Sequence, residues 1–232
     1  MKKLLMIACL AATTWTAQAQ RIRAGIEAGI NFNSLRIELE DVDVDNGTNT
    51  GLKIGGIVDI PMSHSASFQP GLFYNVKGSE NRFTNTYTVN NVLMRERLNQ
   101  ELKINYLEIP FNFQFRLNPR YRSGFFIGGG PYVGFAIGGE VEQDLTVRDL
   151  NGTVYFEDED SYDLEIGDDE DEDDIRRNDF GVNLNLGYMG RQGFFVRGNM
   201  GVGLTNIIPG GDDDFSARNF TLGLSAGFLF GR

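Results

Sequence analysis

Residues 106–117 read YLEIPFNFQFRL, and in them Leu107, Ile109, Phe111, Phe113, Phe115 and Leu117 occupy every second position. A strand turns successive side chains to opposite faces, so this stretch is a strand with one apolar face. Seven further segments repeat the pattern. Ala24, Ile26, Ala28, Ile30 and Phe32 form the first, Leu52, Ile54, Val58 and Ile60 the second, and Phe68, Leu72, Tyr74 and Val76 the third. The quoted stretch is the fourth. Phe125, Ile127, Val133, Phe135 and Ile137 follow, then Phe180, Val182, Leu184, Leu186 and Tyr188. Phe194, Val196, Met200, Val202 and Leu204 make the seventh, and Phe220, Leu222, Leu224, Ala226, Phe228 and Phe230 the eighth. Each run is about ten residues, the length a tilted strand needs to cross a bilayer.

The connections alternate as regularly as the side chains. Residues 61–65, 118–123 and 190–192 are tight turns, whereas 35–50, 78–103, 138–178 and 206–217 are long. Short connections on one side and long ones on the other are the habit of outer-membrane barrels, with turns in the periplasm and loops outside. The long loops carry hairpin signals of their own. Asn151-Gly152 between Leu145-Thr146-Val147 and Thr153-Val154-Tyr155-Phe156 reads as a two-residue type I′ turn, and Asn90-Asn91 after the strand-like 84–89 as a second hairpin. Some strands are therefore expected to run on beyond the membrane.

The polar phase decides which solvent the apolar phase meets. It contains Gly25, Gly29, Gly55, Gly71, Gly128, Gly130, Gly134, Gly181, Gly187, Gly201, Gly203, Gly223 and Gly227. Glycine weakens a water-facing strand, but the interior of an eight-stranded barrel is barely wide enough for side chains and has use for it. The Phe- and Leu-rich phase would overfill that interior, so it faces outward, into lipid. Phe68, Tyr121, Phe125, Tyr188, Phe194 and Phe230 fall at the strand ends beside short turns or the C-terminus, which reads as a periplasmic aromatic girdle. The expected fold is all-β: an eight-stranded antiparallel up-and-down transmembrane β-barrel.

The first residues have a different purpose. Lys2 and Lys3 precede an apolar run at 4–12, and Ala17-Gln18-Ala19 supplies the small residues a signal peptidase reads, so residues 1–19 are expected to be a signal peptide and 20–232 the barrel domain. Cys9 stands too close to Lys3 for a lipoprotein site. Taking Lys2 and Lys3 from the 21 basic residues leaves 19 against 32 acidic ones, a formal charge of −13, which argues against nucleic acid as a partner. Without Cys9 the mature chain has no cysteine, so neither disulfides nor thiol chemistry are open to it.

Several stretches resemble the outer-membrane β-barrel family common in Bacteroidetes, labelled porin family or PorT-like. They are residues 67–78 (SFQPGLFYNVKG), Tyr106-Leu107-Glu108-Ile109-Pro110, and Gly203-Leu204-Thr205-Asn206-Ile207. The chain departs from the family's pattern at Gly71, where Glu is usual after Gln-Pro, and in ending on Gly231-Arg232 behind Phe230. The resemblance spans the mature chain and implies the fold and a place in the outer membrane of a Gram-negative cell. It implies little about activity.

Chemistry-bearing motifs are scarce. His64 is the one histidine and lies between Ser63 and Ser65 in a short turn, which offers neither an orienting carboxylate nor a substrate surface. Gly128-Gly129-Gly130 precedes no helix and is not a phosphate loop. Asp41, Asp43, Asp45 and Gly47 only partly match a Ca²⁺ loop, because Leu52 stands where the bidentate Glu belongs. Residues 157–174 hold 13 acids in 18 positions and read as a mobile solvated loop, or as a weak site for divalent cations bridging to lipopolysaccharide. The inward phase carries Glu27, Lys53, Asp59, Lys77, Glu108, Arg116 and Arg197. In a narrow lumen these are expected to pair into a plug, with Arg197 a partner for Glu108 or Glu27. The expected role is a non-enzymatic envelope component or very narrow pore with little conductance, needing no cofactor and no metal. Binding through the extracellular loops is the alternative, and an outer-membrane enzyme a distant third. Lipid is the expected surrounding, and the sequence leaves the number of subunits open.

Overall fold

Alternation over eight segments becomes eight strands that close on themselves. The computed structural model describes residues 22–39, 42–45, 47–89, 92–117, 123–149, 151–170, 172–211 and 215–231. Residues 1–19, expected to be a signal peptide, with Cys9, and also Asp41, Asn90-Asn91 and Tyr121, lie outside these. Ten strands follow in order: β1 (Arg23–Leu39), β2 (Val42–Asp45), β3 (Asn49–Pro61), β4 (Ala66–Val89), β5 (Val92–Arg116), β6 (Gly124–Asp149), β7 (Val154–Asp163), β8 (Asn178–Met189), β9 (Phe194–Gly203) and β10 (Phe215–Leu229). Every pairing between these strands is antiparallel. The ring runs β1-β3-β4-β5-β6-β8-β9-β10 and returns to β1, with partners from Gly25↔Leu229 to Leu39↔Phe215. β2 and β7 lie off the ring, against the far ends of β1 and β6.

The faces sort by polarity in the sense opposite to a water-soluble protein. Ile26, Leu184 and Leu224 are 59%, 54% and 62% exposed, and the other large apolar residues of their phase are also outward. Glu27, Asp59, Lys77, Glu108, Asn185 and Arg197 are buried. A closed ring has no open sheet edge in the apolar zone, and its backbone groups pair across ladders between neighbouring strands. At the short-turn end, exposed aromatic side chains pair off: Phe125 with Tyr188 at 5.2 Å, and Phe228 with Phe230 at 5.2 Å.

Two of the short turns show how little chain is needed. Met62 and Ser63 both donate their amides to Ala66 O at 2.9 Å, and Ser63 Oγ accepts from the Ala66 amide at 3.0 Å. At the β8–β9 turn the Gly190 amide donates to Phe194 O at 2.7 Å, and Gly193 has φ 99°. A side chain on Gly193 would be strained and would also run into Leu229 O, so glycine is required there twice over.

On the other side the strands are far longer than a bilayer needs: β4, β5 and β6 have 24, 25 and 26 residues. Most of 78–103 and all of 138–149, which the spacing of large apolar residues gives to loops, are strand. The β4–β5 hairpin pairs out to Val89↔Val92. The β6–β7 hairpin closes through Gly152 N–H to Asp149 O at 3.1 Å and Asp149 N–H to Thr153 O at 3.0 Å, with Gly152 at φ 90°. That is a three-residue loop with a glycine bulge rather than the two-residue turn the Asn-Gly pair suggests. The Thr153 amide donates to the Asp149 carboxylate at 2.8 Å and holds that carboxyl below its usual range.

One irregularity divides β6. Asn105 pairs with Gly138 but Tyr106 with Ala136, so Ile137 is an extra residue and the parity of β6 flips above it. Below the bulge even-numbered residues of β6 face inward; above it Val141 does, and Glu140 and Glu142 face out beside Lys103. Outward charge begins here, which marks the upper limit of the apolar band.

The face assignment carries a test. Leu184→Arg should destabilise the barrel by about 2–4 kcal/mol, the cost of a charge on the lipid face near mid-membrane. Asn185→Ser, one residue on and inward, should be milder. Urea unfolding in lipid vesicles, read by the electrophoretic shift of the folded form, compares the two; equal losses would contradict the assignment.

Candidate functional site

The interior is built in three tiers, and the lowest is glycine. Phe73, Tyr106, Phe126, Tyr132 and Phe195 all point inward and are buried. Each stands directly across a ladder from a small residue: Gly55, Ala136, Gly187, Gly181 and Gly227 respectively. A methyl group on Gly55, Gly181, Gly187 or Gly227 would meet the facing ring. The glycines therefore make the floor on which these rings lie.

Cations rest on the rings. Lys53 Nζ is 4.5 Å from the centre of Phe73, and Lys77 Nζ lies 4.2 Å from Tyr132 and 5.1 Å from Tyr106. The Arg197 guanidinium is 4.6 Å from Phe195. Such contacts are strongest where water is excluded.

Carboxylates complete the tiers. Arg197 Nη2 is 2.8 Å from Glu27, with Lys53 at 4.0 Å. Lys77 Nζ is shared between Glu108 at 2.8 Å and Asp179 at 3.1 Å, and Arg23 Nη2 reaches Asp59 at 2.6 Å. Amides tie these pairs together. Gln69 accepts from Arg197 at 3.1 Å and donates to Asp59 at 3.2 Å. Asn75 donates to Glu108 at 3.0 Å and accepts from Asn31 at 2.6 Å. Asp179 Oδ2 also receives Tyr132 Oη at 3.2 Å and Asn219 Nδ2 at 3.0 Å. Buried charges survive only when paired and hydrogen-bonded in this manner.

Of the seven inward charges read from the sequence, the structure brings Glu27, Lys53, Asp59, Lys77, Glu108 and Arg197 into this network. Arg197 meets Glu27 and not Glu108. Arg116 stands apart, half-buried at the short-turn rim, and has no ion pair among the described residues. Sequence reading missed Asp179 and Arg23, which sit just before the first outward apolar residue of their strands, Phe180 and Ala24. It missed Gln69, Asn75, Asn219 and the inward rings as well. Extending each strand by one residue would have found the charges; nothing in the sequence singles out the amides.

Apolar layers close both ends. Towards the short turns lie Ile57, Phe73, Phe126, Phe195 and Leu229, and the gap between Gln69, Gln114 and Arg197 is about 10 Å³, close to one water. At the far end Leu35, Ile104, Tyr106, Ala136 and Ala217 pack against Ile175 and Ile207, which come from the β7–β8 and β9–β10 connections. Arg176 N–H donates to Ile207 O at 2.7 Å, Ala136 N–H to Arg177 O at 2.8 Å, and Leu164 N–H to Gly139 O at 2.9 Å. The acid-rich segment is thus no free loop: its first part is β7, and the rest folds over the mouth with Ile166 bridged to Ile175. Apolar Ile, Leu and backbone pairing outweigh the self-repulsion of exposed carboxylates. Among the described residues, no three His, Cys, Asp or Glu side chains are grouped to hold a metal ion.

A family model described as outer membrane protein beta-barrel domain matches residues 16–209. No curated protein matches the sequence. Among solved structures the chain is similar to Ail, the attachment invasion locus protein of Yersinia pestis, in complex with the heparin analogue sucrose octasulfate. The identity is 11% and the TM-score 0.35, covering 89% of this chain and 99% of that one. The outer membrane protease OmpT from Escherichia coli gives 11% and 0.32, over 90% and 96%. The N-terminal β-barrel domain of Pseudomonas aeruginosa OprF gives 12% and 0.26, over 89% and 97%. None of these similarities bears on activity.

Lys77 is the test of the network. Lys77→Met should cost about 3–5 kcal/mol, because it leaves Glu108 and Asp179 buried together without a cation. The same change in a Glu108→Gln, Asp179→Asn background should cost much less. Urea titrations of the four proteins give the coupling; additive losses would mean that the charges do not act as one unit.

Proposed function

Since the chain belongs to the outer membrane protein β-barrel domain family, we propose that it is a non-enzymatic barrel of the outer membrane whose lumen is closed to solutes. The observation that carries this reading is the paired interior. Three ion-paired clusters, two of them seated on buried rings, fill a cavity that eight strands already make narrow, and apolar layers lie towards both of its ends. An ion entering would have to displace charge pairs in a medium of low dielectric, at great energetic cost. The non-enzymatic part rests on the lack of a supported nucleophile. His64 is exposed in its turn and, among the described residues, has no hydrogen-bonded carboxylate to orient it.

A second reading, binding outside the cell, is favoured by the protruding sheet. Above the bulge β4, β5, β6 and β7 form a four-stranded sheet with two unlike faces. One gathers Arg95, Arg97 and Arg148 beside Glu157 and Glu159 around a groove of about 480 Å³. The other bares Phe83, Phe156 and Tyr162. Exposed apolar and charged faces on a rigid support suit a macromolecular partner or the phosphates and sugars of lipopolysaccharide.

Planar-bilayer recording of the purified protein tests the closed barrel. Silence or rare small openings are expected; stable channels of porin size would overturn it. Capture of a partner by intact cells, lost on replacing Phe83, Phe156 and Tyr162 with Ser while the barrel still folds, would identify the second role.

A further inference from the structure

We propose that the periplasmic mouth of the barrel binds a phosphate group, held by Arg116 with Arg23 beside it. Inside the wall the charges balance without Arg116: Arg23, Lys53, Lys77 and Arg197 face Glu27, Asp59, Glu108 and Asp179. Arg116 is a fifth cation. The charged groups near it are Arg23 and Asp59, and Asp59 is already engaged at both oxygens. Its Oδ2 accepts from Arg23 Nε at 3.1 Å and Nη2 at 2.6 Å, and its Oδ1 from Gln69 at 3.2 Å. A half-buried guanidinium next to a second one, with no carboxylate left over among the described residues, calls for an anion from outside.

The space for that anion is present. A cavity of about 440 Å³ opens at this end, where Arg23, Arg116, Ser63, His64, Ser65 and Ser67 line it together with Pro61 and Ala66. Arg116 also borders the deeper gap beside Gln114, which is buried and has neither carboxamide atom hydrogen-bonded. Planar guanidinium forks, serine hydroxyls and an open carboxamide donor match a tetrahedral oxyanion with several acceptor oxygens. The volume exceeds that of a bare phosphate, so the group is the charged end of a larger molecule. A phospholipid headgroup of the inner leaflet and a soluble phosphate ester share this chemistry.

The test uses the full mature chain in dodecyl maltoside with glycerol 1-phosphate, and in nanodiscs of phosphatidylglycerol. Calorimetry should give one site for glycerol 1-phosphate, weakened roughly tenfold to a hundredfold by Arg116→Gln. Arg191→Gln, in the neighbouring periplasmic turn, should leave it unchanged. Arg116→Lys should recover only part of the affinity, because the fork is lost. If Arg116→Gln does not fold, the wild-type protein still answers through phenylglyoxal. Glycerol 1-phosphate should slow modification of Arg116 and not of Arg191, read by mass spectrometry. Protection in phosphatidylglycerol nanodiscs but not by the soluble ester would assign the site to the lipid headgroup. Equal binding by wild type and Arg116→Gln, or no protection of Arg116 in either setting, would overturn the proposal.

Discussion

Eight strands enclose so little space that an inward side chain can be large only if the one facing it is almost nothing. The rest of the interior follows from that constraint. Gly55, Gly181, Gly187 and Gly227 yield room, Phe73, Tyr132, Phe126 and Phe195 take it, and the faces of those rings and of Tyr106 become shelves for Lys53, Lys77 and Arg197. Each cation then fixes a carboxylate, and each carboxylate gathers amides and hydroxyls from strands remote in the chain. Asp179 and Lys77 are 102 residues apart, and Ser225 donates to Glu27 across 198. Glycine, which weakens an isolated strand, here permits the long-range contacts that hold the ring in register.

This ordering explains what the sequence disclosed. The outward phase is uniform because lipid is uniform, so Leu107 to Leu117 announce strand, phase and membrane together. The inward phase is a jigsaw in which glycine, phenylalanine, asparagine and lysine each have a place, and its logic lies between strands rather than along them. Phe73 and Phe126 look like breaks in alternation until Gly55 and Gly187 are seen opposite. The charges were legible by parity, yet their partners were not, because pairing depends on the stagger of strands around the ring. Arg116 obeys the same parity as Glu108 but sits at the rim, where no described residue offers it a carboxylate not already engaged. The lid was hidden for a different reason: carboxylates dominate residues 157–174, and the few apolar residues that close the mouth, Leu164, Ile166 and Ile175, are scattered among and after them.

The layers also divide the molecule by what can move. A charged middle between apolar ends is hard to open in part, since admitting water to one pair exposes its neighbours through Gln69 and Asn75. The lid is held instead by a handful of backbone hydrogen bonds and aliphatic contacts, and is the less costly layer to lift.

The single extra residue at Ile137 has a wider consequence. Below it, side-chain direction in β6 answers to lipid and lumen; above it, the same strand starts its alternation afresh. The β6–β7 hairpin beyond the bulge is thereby out of phase with the membrane-spanning part of β6, whereas β4 and β5 carry the barrel's parity unbroken into their own hairpin. Substitutions on the two faces of the protruding sheet leave the lumen groups below it where they are. The barrel works as a socket of fixed pattern, and the sheet above it as an interchangeable head.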